Sequence, residues 1–147
     1  MGRQYRLVEV LPHEPVVTVV DSNTWVDFFN GVDTPYVARL EEVLQDEEDL
    51  AVLPIIVTEV LQGFRSEAGF ARAREVLVAV PSVQPDTAGH VRAARLYRAL
   101  RAKGVTVSGA ADCIIAQACL DTRAELLSPD RDFEWIARHT PLRLWRP

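Results

Sequence analysis

The chain has 147 residues, 48% hydrophobic and 25% charged, with 16 basic against 21 acidic side chains and a formal net charge of −5. A chain of this length reads as one domain with a real core, and its apolar content is too high for a disordered polymer. The acidic balance argues against a partner gripped by bulk positive charge, such as duplex DNA held without sequence preference.

Residues 1–15 read as an N-terminal extension, broken by Pro12 and Pro15, and residues 16–147 as a single domain. Val16 to Val20 is a β-branched run, the signature of a strand buried on both faces, and it stops at Asp21. Ser22, Asn23 and Thr24 are N-cap types, and Trp25, Phe28 and Phe29 follow at helical spacing as far as Gly31. Thr34-Pro35 caps a second helix, whose stripe is Tyr36, Val37, Leu40, Val43 and Leu44. The acidic run Asp46 to Asp49 closes it. Leu50 to Leu53 reads as a short strand. A helix then begins near Pro54 with Glu59 near its middle, and another runs from about Glu67 to Val80.

Ser82 to Gln84 reads as a further short strand. Asp86-Thr87 caps a long helix that reaches Lys103 and stops at Gly104. Val105 to Val107 is extended, and Ser108-Gly109 leads into an Ala-rich helix, about Ala110 to Leu120, carrying Asp112. Ala124 to Leu127 is a strand and Ser128 to Asp132 a turn. Phe133, Trp135 and Ile136 begin a last helix, and Leu142 to Trp145 form a last strand. Strands alternating with helices predict an α/β fold, a three-layer sandwich around a central, mainly parallel sheet.

Cys113 and Cys119 lie on one helix and point to different sides, which argues against a disulfide between them and for a reducing, cytoplasmic setting. His13, His90 and His139 are scattered and match no zinc-site spacing. The first residues carry no long apolar stretch of a signal peptide, and the longest apolar run, Leu50 to Val57, is too short to span a bilayer.

In an open parallel sheet, function gathers at the carboxyl ends of the strands. Asp21 follows the first strand directly, and Asp130 follows the strand that ends at Leu127. Asp112 opens an otherwise apolar helix beside Ile114, Ile115 and Ala116. Glu59 interrupts the apolar sequence from Ile55 to Leu61. A carboxylate in or next to a buried run is costly unless it is paired or bound to a cation. If the four converge, repulsion raises their pKa values or demands a cation, and oxygen-only ligation suits Mg²⁺ or Mn²⁺ better than zinc.

Val19-Val20-Asp21-Ser22-Asn23 resembles the opening motif of PIN-domain nucleases. Thr58-Glu59-Val60-Leu61-Gln62-Gly63, Ala111-Asp112-Cys113-Ile114-Ile115-Ala116 and Leu127-Ser128-Pro129-Asp130-Arg131-Asp132-Phe133 resemble the next three. Order and spacing match from about Val16 to Trp145, and the size is similar to that of VapC-type toxins of bacterial toxin–antitoxin pairs. The resemblance implies a Mg²⁺- or Mn²⁺-dependent endoribonuclease that hydrolyses RNA phosphodiesters with metal-activated water. It implies that Asp21, Glu59, Asp112 and Asp130 form the catalytic metal site, with Asn23 and Ser128 as supporting polar groups. Asp132 is either a further ligand or the N-cap of the last helix, and the cap is the preferred reading. The resemblance also implies a homodimer and a VapB-like antitoxin whose tail enters the groove. The extension at 1–15 departs from the short pattern of these toxins.

Arg92, Arg95, Arg98 and Arg101 recur every third residue. At about 100° per residue they drift around the helix, as a solvated surface would. The alternative is a slanting basic ridge against RNA phosphates or an acidic antitoxin segment. Trp25, Trp135 and Trp145 read as core or interface residues. Two other functions fit parts of the sequence. One is a PIN-like module that binds RNA or protein without cutting. The other is a haloacid-dehalogenase-like phosphatase, on the strength of Asp21-Ser22-Asn23-Thr24, although Asn23 stands where that motif needs a second Asp. If cations neutralise the four acids, the remaining charge is close to zero, and the acidity marks a pocket rather than a repulsive surface.

Overall fold

The computed structural model describes residues 16–147; the extension expected at 1–15 lies outside the described residues. Four short strands form one sheet: β1 (Thr18–Val20), β2 (Leu50–Ala51), β3 (Glu125–Leu127) and β4 (Arg143–Leu144). Their order is β2-β1-β3-β4 and every pairing is parallel. Val19 lies opposite Ala51 on one side and Leu126 on the other, so the β-branched run of β1 is covered along both edges. All three β1 residues are buried, as its unbroken apolar pattern predicts.

Seven helices accompany the strands among the described residues: α1 (Ser22–Phe29), α2 (Pro35–Gln45), α3 (Pro54–Leu61), α4 (Glu67–Ala79), α5 (Thr87–Ala102), α6 (Ala110–Thr122) and α7 (Arg131–His139). α1 packs on α2 and α3, while α5 and α6 form the most extensive helix pair and α7 packs on α6. The caps are local chemistry. Thr34 Oγ1 accepts from Val37 N at 3.0 Å and Asp86 Oδ1 from Gly89 N at 2.8 Å, each satisfying an N–H that the first turn leaves without a helical partner. Gly31 and Gly104 close α1 and α5 with φ of +70° and +79°, a region that costs other residues a steric clash.

The core is continuous across the sheet. Val20, Trp25, Leu40, Leu53, Ile56, Leu126, Leu127, Phe133 and Ile136 have no exposed surface. Trp25 stacks on Phe29 at 5.9 Å between ring centroids, which meets the core reading of that residue. Trp145 is half-buried edge-on to Tyr36, whereas Trp135 is 45% exposed. Both cysteines are free and buried. Among the described residues, no helix is long and apolar enough to cross a membrane.

Four local expectations change. The cap of α1 is Asp21 rather than one of the residues after it, and its carboxylate accepts from Ser22 N. Ser82 contributes one parallel bridge to Val52 and no strand forms there. Val105 to Val107 pairs with no strand. The last helix starts at Arg131 with Asp130 as its cap, so the preferred cap reading of Asp132 is corrected. The physical reason is that Asp130 Oδ1 accepts from Asp132 N at 2.9 Å, which makes Asp132 a first-turn residue with its own side chain free to reach elsewhere.

Candidate active site

The carboxyl ends of β1 and β3 lie side by side, because Asp21 N donates to Leu127 O at 3.1 Å. This brings Asp21 next to Ser128. Both are buried, at 4% and 2% exposure. Ser128 Oγ donates to Asp21 Oδ2 at 3.0 Å and accepts from Asp130 N at 3.1 Å, so one hydroxyl joins the loops that follow the two central strands. Asp21 Oδ1 accepts from Ser22 N at 2.8 Å. These bonds favour the ionised form, yet burial outweighs them and holds Asp21 above the usual carboxylate range, with Asp130 adding repulsion.

Asp112 lies in the first turn of α6, whose cap, Gly109, offers no side-chain oxygen. Across from it stands α7. Asp112, Asp130 and Asp132 each offer a carboxylate oxygen, and these three atoms lie within 4.8 Å of one another. Ser108 sits between the two helices. Its N–H donates to Asp132 Oδ2 at 3.0 Å, and its Oγ lies 2.7 Å from Asp132 Oδ2 and 3.3 Å from Asp112 Oδ2. A hydroxyl has one proton, and the shorter contact takes it. Asp132 is accordingly held below the ordinary value, chiefly by the Ser108 hydroxyl. Asp112 is pushed up to about 7, first by burial, then by its hydrogen bond to Asp132 and by the charges of Asp130, Asp132 and Asp21. Of the three carboxyls, Asp112 is the one whose proton affinity the crowding raises.

Glu59 reaches the group from α3. Burial raises its pKa first and the charge of Asp21 second. Its Oε1 is buried with no hydrogen-bond partner among the described residues. An unpaired buried carboxylate oxygen is expensive, and a cation beside Asp21 is the partner whose charge fits. The donor set is all oxygen and strongly anionic, which suits a hard divalent ion. The fit is therefore good on two separate observations, the close trio and the orphaned Glu59 oxygen.

The sequence-derived acids thus fall into a tight trio and two outliers. Asp112 and Asp130 belong to the trio together with Asp132. Asp21 joins it through Ser128, and Glu59 couples to Asp21. Asn23 is exposed on the first turn of α1 and makes no side-chain hydrogen bond among the described residues. Arg92 is engaged with Asp121 at 2.8 Å, while Arg95 and Arg98 are exposed. Sequence reasoning missed Ser108. In the sequence it is only part of the Ser108-Gly109 lead into α6, and its main partner, Asp132, stands 24 positions away.

An all-parallel sheet whose carboxyl edge gathers acids from strand ends and from the helices packed beside them defines a class of α/β domains. The family model of the PIN domain matches residues 18–139, and the chain belongs to the PIN domain family. It is 30% identical over 127 residues to the VapC ribonuclease Mb1587 of Mycobacterium bovis, an alignment covering 85% of this chain and 95% of that relative. The same figures hold for ribonuclease VapC11 of Mycobacterium tuberculosis. Among solved structures, VapBC2 of Rickettsia felis, bound to a DNA fragment from its promoter, is similar in fold. Its TM-score is 0.71 at 17% identity, covering 88% of this chain and 98% of that one.

Proposed function

We propose that the protein is a Mg²⁺- or Mn²⁺-dependent endoribonuclease, the toxin of a toxin–antitoxin pair. The observation that carries the reading is the convergence of Asp112, Asp130 and Asp132 oxygens within 4.8 Å beside an orphaned Glu59 oxygen. The names of the relatives, ribonucleases of the VapC type, support the same reading. Asp21, Glu59, Asp112 and Asp130 would hold the ion or ions, with Asp132 as a further ligand. When bound, a divalent cation supplies charge that offsets these carboxylates, lowers the pKa of water and stabilises charge developing on phosphorus.

The chain's own residues do the rest. Ser128 fixes the Asp21 carboxylate by donating to one oxygen, leaving the orientation of the other set by Ser22 N. Ser108 holds Asp132 ionised and aimed at Asp112. Asp112, pushed up to about 7 by burial and by the neighbouring carboxylates, would have to be ionised to hold a cation, so loading would be coupled to proton release. Asn23, exposed two residues after Asp21, would be available to meet substrate.

The solved neighbour from Rickettsia felis is one of several VapBC assemblies similar in fold. That supports a VapB-like antitoxin as partner; a homodimer acting in the cytoplasm, with residues 16–147 as the working domain, is part of the same proposal and rests on the family resemblance alone.

The test is cleavage of RNA by the purified, antitoxin-free protein with Mn²⁺, with Mg²⁺ and with EDTA, comparing wild type with the double variant Asp21→Asn, Asp112→Asn. Cleavage confined to the metal-loaded wild type is the expected result. Full cleavage in EDTA, or by the double variant, would overturn the reading.

A further inference from the structure

A cavity of about 530 Å³ forms a cleft between α5 and α6 that the acid cluster does not explain. Its size falls within the usual range of small-molecule sites. Its walls are mainly apolar, Tyr97, Val107 and Ile114 among them, and the exposed His90 and Arg98 line its rim. Ser108 lines this cleft and also holds Asp132 at 2.7 Å. One residue therefore belongs to both, and whatever occupies the cleft lies directly beside the carboxylates.

We propose that this cleft seats one unstacked nucleobase of the RNA substrate next to the scissile phosphodiester, and so sets base preference at the cut. The proposal rests on the ribonuclease reading above. Three features select a nucleobase. A flat apolar ring system needs a dry slot with an aromatic wall, and single-stranded RNA is read by stacking unpaired bases in such slots. Tyr97 supplies the aromatic wall, and its ring is held by the Arg101 guanidinium 5.6 Å from the centroid. A base also arrives attached to phosphates. Arg98 is exposed at the rim with no ion pair among the described residues, unlike Arg92, so its charge is free for a phosphate or a base edge. Lastly, the acid cluster alone would meet any phosphodiester equally. The adjoining cleft is what distinguishes one nucleotide from another.

The experiment compares two phosphodiesters. One is a set of short RNA oligonucleotides differing in the bases flanking the cut. The other is bis(p-nitrophenyl) phosphate, which has the reacting centre and no nucleobase. Ala94, exposed on the cleft wall, is replaced by Trp to fill the slot without touching the core, and Tyr97 by Ala to remove the wall. Circular dichroism checks that both variants fold. In the presence of Mn²⁺, Ala94→Trp should raise KM for RNA about tenfold and flatten base preference. Its turnover of bis(p-nitrophenyl) phosphate should stay within about twofold of wild type. Tyr97→Ala should flatten base preference in the same way. Unchanged RNA kinetics in Ala94→Trp would overturn the proposal. So would an equal loss on both substrates accompanied by a change in oligomeric state on size-exclusion chromatography, which would assign the cleft to a second copy of the chain. Wild-type protein that cleaves neither substrate removes the ribonuclease reading itself, a result distinct from failure of the cleft alone.

Discussion

Ser128 and Asp21, 107 positions apart in the chain, form a buried hydrogen bond of 3.0 Å in which the serine hydroxyl donates to the carboxylate. The same oxygen accepts from Asp130 N. Replacing Ser128 by Ala leaves a buried carboxylate oxygen and a backbone N–H without partners. The expected cost is about 1–3 kcal/mol, read by calorimetry as a fall of roughly 3–10 °C in the melting midpoint. An unchanged midpoint would show that the bond contributes nothing to the fold.

Asp112→Asn keeps the shape of the side chain and removes one charge from the trio. Without metal, the variant should melt above wild type at pH 8, because the repulsion among Asp112, Asp130 and Asp132 is relieved. It should also lose the rise in midpoint that Mn²⁺ gives the wild type, and RNA cleavage should fall about a hundredfold or more. Differential scanning fluorimetry with and without Mn²⁺ measures both arms. Equal metal responses in the two proteins would remove Asp112 from the ligand set.

Stability of the metal-free protein should fall as pH rises. Asp112 has a folded pKa of about 7 against an ordinary value of 3.8, so the folded state holds its proton more tightly than the unfolded chain does. Its contribution is full below about pH 4, fades between about 4 and 7, and is lost above that. Asp21 and Glu59 are shifted upward too and act in the same direction. Asp132, shifted downward, opposes them: its contribution is present above its unfolded pKa and is lost on acidification. Asp132 titrates below the window from pH 5 to 8 in both states, so urea midpoints should be lower at about pH 8 than at about pH 5, and millimolar Mg²⁺ should narrow the gap. A midpoint that climbs steadily from pH 5 to 8 without metal would contradict the shifts.

Leu127→Ala tests the support beneath the site. Leu127 is fully buried at the end of β3, one residue before Ser128. Truncation should cost about 2–5 kcal/mol. The urea midpoint should drop with little change in the slope of the transition. Its carbonyl still accepts from Asp21 N, so kcat of the folded fraction should stay near wild type.

Much of this architecture was legible in the sequence, and the reasons are local. The unbroken run of β1, the caps at Thr34 and Asp86, and the stop at Gly104 each depend on a few adjacent residues. So did the acids at Asp21 and Asp112, since a carboxylate bordering an apolar run stands out wherever it occurs. The exact start of the last helix was not legible. Asp130 and Asp132 are both good caps, and which one acts depends on the hydrogen bond from Asp132 N to Asp130 Oδ1. That one choice decides whether Asp132 faces the helix or the cluster. Ser108 was hidden because its partner lies far along the chain. The Ser82 segment carries a strand-like pattern but finds only the end of β2 to bridge.

The parallel order of the sheet has a bearing on synthesis. β1, which ends at Asp21, must wait for β3 before its second edge is covered, and the two loops meet only after α1 to α6 have been made. Asp130 and Asp132 come later still. A nascent chain that has emerged as far as α6 therefore carries Asp21, Glu59 and Asp112 without the α7 carboxylates that complete the cluster. On the reading proposed above, the chemistry of the site would begin only once α7 has docked on α6 and brought Asp130 and Asp132 beside Asp112.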